Sequence, residues 1–259
     1  MKIYNIRIVI LLLASLLSDN VNAAEKKSKI LARINTGINY YYVRDDLYDS
    51  LIYTGKRPSY ILSLTYLKDA YRFNMSISSP LDVAVKSEQN YKSGFNNYQN
   101  NSIEISKQVS DKTLFNTRTS VYSGFSIQYL QNELDFSSDF DYATSWLTSH
   151  SGSFAIAVNT RINQQQSIYL LAYTPIISYV SRPDNVVFKA NSNLRYKKNW
   201  QVVSVNKHRG LKFKTSYLVN VWTHLNLNLD YELQYIASEV KGKIRIFSHN
   251  VALGLGYQY

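Results

Sequence analysis

The chain has 259 residues, with 29 Lys and Arg against 18 Asp and Glu and a formal net charge of +11. It has no cysteine, which excludes disulfides and thiolate metal sites. Aromatics make up 14% of it, and after the N-terminal region no uninterrupted apolar run is long enough for a membrane-spanning helix.

Lys2 and Arg7 precede an apolar run from Ile8 to Leu17, and Val21-Asn22-Ala23 fits a small-residue cleavage site. This is the layout of a secretory signal peptide over residues 1–23, leaving 24–259 as one domain. The apolar run is too short to cross a bilayer as a helix. A secreted basic chain seldom meets nucleic acid, so the charge points to an anionic solute or to lipopolysaccharide.

From Ser28 to Val43 the pattern alternates, with Ile30, Ala32, Ile34, Ile38 and Tyr40 on one face and Arg33, Asn35, Gly37 and Asn39 on the other. A polar loop follows, carrying Asp45, Asp46, Asp49, Lys56 and Arg57. Tyr60–Tyr66 and Tyr71–Ile77 alternate across Lys68-Asp69 and read as a hairpin. A long polar loop is expected over Pro80–Gln99. A second hairpin turns at Ser110-Asp111-Lys112, with a bulge near Gly124, and a loop is expected over Gln131–Ser149. The third hairpin turns at Asn163–Gln166, though the phase of Ser167–Tyr179 is ambiguous. The fourth turns at Lys197-Lys198-Asn199. The fifth turns at Trp222–His224, and Leu225–Tyr235 gives the cleanest alternation in the chain. The last segment sets Val251, Leu253, Leu255, Tyr257 and Tyr259 against Asn250, Ala252, Gly254, Gly256 and Gln258.

An aromatic at the last position resembles the C-terminal signal of bacterial outer-membrane β-barrels. That resemblance implies insertion in the outer membrane by the barrel assembly machinery through Val251–Tyr259. The segments predict an all-β fold, an antiparallel up-and-down transmembrane barrel of about twelve strands with both termini periplasmic. The short turns fall at the terminus side and the long loops at the other, as in such barrels. In lipid, closure leaves no strand edge unpaired.

If the apolar side meets lipid, the polar side lines the lumen. Inward bases are then Arg33, Arg72, Arg118, Arg161, Lys189, Arg195, Lys212 and Lys214, against the acids Glu104, Asp230 and Glu232. A lipid-facing Arg or Lys at mid-depth costs roughly 2–4 kcal/mol, which drives these residues inward. Unpaired inward bases favour anions in a water-filled pore. In the competing reading, bases and acids pair across a filled interior and the barrel is a structural or surface-interaction protein. The architecture is similar to the twelve-stranded monomeric porins for acidic sugars, the oligogalacturonate and sialic-acid channels. The resemblance lies in length, strand count, aromatic C-terminus and basic lumen, and implies a monomeric channel for small anionic solutes.

A lipid hydrolase is the third reading. It needs a Ser or His activated by a partner within hydrogen-bond reach. His150 and His249 have serine only as a sequence neighbour, which points to the opposite face of a strand. His208 and His224 fall in loop or turn positions. No catalytic residue, cofactor or metal is therefore assigned. The loop acids Asp45, Asp46, Asp49, Glu133, Asp135, Asp139 and Asp141 match no calcium-loop spacing and read as solvated.

Overall fold

The computed structural model describes residues 28–47, 51–79, 81–87, 93–114, 117–137, 142–184, 187–188 and 199–259. The expected signal peptide, Lys189 and Arg195 lie outside the described residues. Thirteen strands follow in order: β1 (Lys29–Asp45), β2 (Ile52–Lys68), β3 (Tyr71–Ser78), β4 (Leu81–Ser87), β5 (Ser93–Leu114), β6 (Thr117–Ser137), β7 (Tyr142–Arg161), β8 (Gln166–Ser181), β9 (Val187–Phe188), β10 (Trp200–Ser204), β11 (His208–Asn220), β12 (Leu225–Ser238) and β13 (Ile244–Gln258).

Ten of them close a ring, in the order β1, β2, β3, β5, β6, β7, β8, β11, β12, β13 and back to β1, each antiparallel to its neighbour. Closure is made by the first and last strands, in register from Leu31↔Gln258 to Asp45↔Ile244. Tyr259 completes it by exchanging two backbone hydrogen bonds with Ile30, at 2.9 and 3.0 Å. Both ends of the described chain thus lie at one end of the barrel, the terminus end. There the β2–β3 turn needs only Asp69 and Ala70, and Asp69 takes a φ of 53°, a left-handed conformation that Asp tolerates.

The ring has ten strands where the sequence predicts twelve. The two additional strands correspond to the fourth expected hairpin, and they are the short β9 and β10, outside the ring. β9 continues the line of β8 along β7, and β10 continues the line of β11 along β8. β10 and β11 run in the same direction, interrupted at 205–207. A period of two specifies which way side chains face but not which way the strand runs, so one broken strand reads as two opposed ones. β4 likewise continues β3 past Pro80, within the expected long loop. There the wall splays: β2 pairs β4 only at Tyr53↔Ser87 and Thr54↔Lys86 and resumes with β3 at Ile61↔Ser78.

Two other expectations change. β6 and β7 extend through most of the expected Gln131–Ser149 loop. β5, β6 and β7 have 22, 21 and 20 residues, where about 9–11 cross a bilayer. The bulge expected near Gly124 lies instead on the facing strand, between Gln108 and Ser110. The apparent slip in β6 has another cause: Tyr122, Leu130 and Leu134 are apolar residues that point inward. In β8 the ambiguity is a real bulge, since Ser153 pairs Pro175 and Gly152 pairs Ile177, leaving Ile176 over.

The outer wall is apolar in continuous rows. One hydrogen-bonded row joins Val219, Leu227, Leu255, Ile34, Leu62 and Ile77, and another joins Leu64, Met75, Ile103 and Ile127. Ile34 and Ile127 are 64% and 66% exposed, positions that only a lipid surround makes favourable. Aromatics bound the belt, Tyr257 and Tyr66 toward the terminus end and Phe247, Tyr42 and Tyr235 toward the loop end. The roughly 10 residues from Phe247 to Tyr257 match a transmembrane strand.

Candidate functional site

Small residues on β13 make room for the side chains that fill the lumen. A Cβ on Gly254 would lie 1.9 Å from Asn35 Oδ1 and 2.5 Å from Asn228 Oδ1. Glycine there lets two amides reach Asp230: Asn35 Nδ2 donates to Oδ2 at 2.7 Å and Asn228 Nδ2 to Oδ1 at 2.9 Å. Lys214 Nζ meets the same Oδ2 at 3.0 Å. Arg33 is within electrostatic reach of Asp230 and Arg72. The Arg72 guanidinium stands 3.7 Å from the Tyr169 ring centre, a cation–π contact. Glu104 accepts from Ser106 Oγ at 3.0 Å and from the Tyr169 hydroxyl at 3.5 Å.

One level toward the loop end, Lys212 pairs with Glu232 at 2.8 Å and lies 5.6 Å from the Tyr173 ring. Tyr98 and Asn100 both donate to Gln234 Oε1, and Arg57 lies 5.1 Å from the Tyr98 ring. Higher still Tyr41, Val43, Leu134, Leu147, Ile246 and their neighbours form an apolar cluster, in which the Tyr41 hydroxyl donates to the buried amide of Asn132. Asp45 and Arg182 form a buried pair over this cluster, and Ser145 Oγ donates to Asp45 Oδ2 at 2.6 Å. Among the described residues, side chains thus cross the lumen at each of these levels. Cavities of about 30 Å³ beside Arg57 and Lys212, and of about 20 Å³ beside His208, remain. That is room for a water or two. A larger concavity, about 350 Å³, lies over Ala32 on the outer wall, lined by Ile34, Leu62, Leu64, Met75 and Leu255.

Of the eight predicted lumen bases, Arg33, Arg72, Lys212 and Lys214 point inward and are buried. Arg118 and Arg161 hold the inward phase but stand opposite each other at the terminus-end rim, exposed. Arg118 binds Asp111 at 2.5 Å, and its guanidinium keeps the Asp111 carboxyl below the usual carboxylate range. Lys189 and Arg195 are outside the described residues. Sequence reasoning missed Arg57, Asp45 and Arg182, reading the first two as loop residues. Arg57 alternates in phase with Ser59, Ile61 and Ser63, and Asp45 with Tyr41 and Val43, so the signal was present and their charge hid it.

The four histidines fall in three settings. His249 stacks on Tyr40, with ring centres 4.9 Å apart, and His150 sits 5.1 Å from Tyr129 and 5.3 Å from Trp200, both on the outer wall. His224 stacks on Tyr257 at the terminus end. His208, expected in a loop, is buried in the barrel near the loop end, and burial pushes its pKa down to about 4. It lines the smaller cavity with Ser149 and Ser151. That space admits no substrate. Among the described residues no three His, Asp or Glu gather as a metal site.

No protein-family model and no curated protein sequence matches this chain. Solved structures do. The outer membrane protease OmpT from Escherichia coli superposes with a TM-score of 0.54, covering 93% of this chain and 100% of OmpT at 7% identity. The translocator domain of the autotransporter NalP from Neisseria meningitidis gives 0.44 over 98% and 96% at 7% identity, and Neisserial surface protein A gives 0.35 over 88% and 97% at 14%. At these identities the likeness is one of fold. The chain has the closed antiparallel β-barrel fold that these outer-membrane proteins have.

Proposed function

We propose that the protein is a closed outer-membrane barrel, a monomeric structural and surface-interaction protein whose loop end faces outward and whose termini are periplasmic. One observation carries this reading: among the described residues the lumen is crossed by ion pairs, Lys212 with Glu232 and Lys214 with Asp230, and an apolar cluster lies above them, with cavities of about 30 and 20 Å³ beside them. A solute needs a continuous wet path, and charged side chains engaged with acids and rings do not offer their field to one. The strands that outrun the bilayer stand as a rigid platform for the outer loops. Insertion through the Val251–Tyr259 strand by the assembly machinery fits this role.

The channel reading keeps one supporting observation. Buried inward bases Arg33, Arg57, Arg72, Lys212 and Lys214 outnumber Glu104, Asp230 and Glu232, so a lumen that opened would favour anions. Acidic-sugar transport rests on that excess alone. An enzymatic role has less support, because the described His–Ser neighbourhood at His208 is closed to substrate. Liposome swelling distinguishes the first two. Refolded barrel in vesicles is expected to admit no small sugar acid, and swelling above protein-free vesicles would reinstate the channel.

A further inference from the structure

The outer wall above the aromatic boundary carries an arrangement that barrel stability does not call for. Followed sideways, one ladder row joins Arg209, Ala237, Arg245, Arg44 and Ile52 across β11, β12, β13, β1 and β2. The next row toward the membrane is Leu211, Tyr235, Phe247, Tyr42, Thr54 and Lys86. The row after that ends in His249, Tyr40 and Lys56. Five cations thus stand over and among aromatic rings on one side of the wall. Arg245, Lys56 and Lys86 are exposed.

Arg44 and Arg245 are direct cross-strand partners, and like charges so placed repel. Among the described residues acids offset little of this. Asp46 meets Arg44 at 3.0 Å and Glu239 reaches Arg209 at 3.8 Å, both at exposed sites. Among the described residues Arg245 has no acidic partner. Backbones of adjacent strands are about 4.8 Å apart, so both guanidinium forks can grip one phosphate. The patch is on the side wall, at the height where aromatics mark the membrane boundary. A bilayer would screen a soluble polyanion from its lower rows, whereas a lipid headgroup arrives there by lateral diffusion. The rings beneath would lie against sugars and upper acyl chain.

We propose that Arg44, Arg245, Arg209, Lys56 and Lys86 form a binding site for the phosphate groups of a phosphorylated glycolipid in the outer leaflet. The site rests on the reading that the loop end faces outward, and is independent of whether the lumen conducts.

The test uses full-length refolded barrel in zwitterionic detergent, with its unfolding followed by heat-modifiable gel migration. Bis-phosphorylated lipid A is expected to raise the midpoint, while dephosphorylated lipid A and inorganic phosphate leave it in place. Arg44→Gln/Arg245→Gln is expected to need on the order of tenfold more lipid for the same shift. Lys56→Gln/Lys86→Gln should show a smaller loss and serves if the first variant does not fold. Lys107→Gln/Arg118→Gln, at the other end, should respond as wild type. Equal response of the Arg44/Arg245 variant and wild type would overturn the site. Inorganic phosphate acting as well as lipid A would overturn the glycolipid as its ligand. Binding in detergent with the loop end labelled from the periplasmic side in cells would instead remove the orientation and keep the site chemistry.

Discussion

Asp230 is the residue on which the polar waist turns. It takes two amide donors and Lys214, with Arg33 in reach. Removing one partner of a buried pair leaves the other charge uncompensated, which costs about 3–5 kcal/mol. Asp230→Asn is therefore expected to lower the unfolding midpoint sharply, and Asp111→Asn at the exposed rim to leave it unchanged. Equal effects would place Asp230 in water. Neighbouring positions make a second test. Leu229 faces lipid, and Leu229→Arg is expected to destabilise by roughly 2–4 kcal/mol if it lies near mid-depth. From sequence, Asn228 reads as facing a wet lumen where Arg would be tolerated. It is instead buried against Asn35, Asp230 and Gly254, so Asn228→Arg is also expected to fail. A fully stable Asn228→Arg barrel would mean that the lumen is open there. Which face a residue takes was legible from alternation for both. What fills the space it faces was not, because that depends on strands far apart in sequence, such as β1 and β12.

At the scale of elements, the cleanest segments were read correctly. Leu225–Tyr235 and Val251–Gln258 are uninterrupted ladders, and the closure of the last strand with β1 follows. The misread elements are those where a strand breaks while keeping its line, β3 with β4 and β11 with β10. Interior apolar residues such as Leu130 and Leu134 mimic a change of phase because the barrel has a core of its own above the belt. His208 reports on that upper storey. It sits one residue from Arg209, above the aromatic row, and burial holds it near 4 against an ordinary value near 6.5. Between about pH 6.5 and 4 the unfolded chain binds a proton that the folded chain refuses, so stability rises with pH across that window and is lost as pH falls through it. His208→Gln is expected to flatten this slope. Unfolding midpoints at pH 7 and pH 5 for both proteins measure it, and an unchanged slope would place His208 in contact with solvent.

Over the whole molecule, a lumen lined by charged and polar side chains and an exposed apolar belt invert the usual arrangement of a globular protein, with lipid supplying the surroundings that a soluble fold would need from a second layer. The excess of inward bases, the most informative feature of the sequence, carries an anion channel if those bases meet water and a sealed barrel if they meet acids and rings. Their pairing with Glu232, Asp230 and Tyr169 favours the second. Single-channel recording on refolded protein in a planar bilayer decides between them most directly. No current steps above the protein-free bilayer are expected, at low or high salt. Steady steps, with a reversal potential in a salt gradient that favours anions, would contradict the closed barrel.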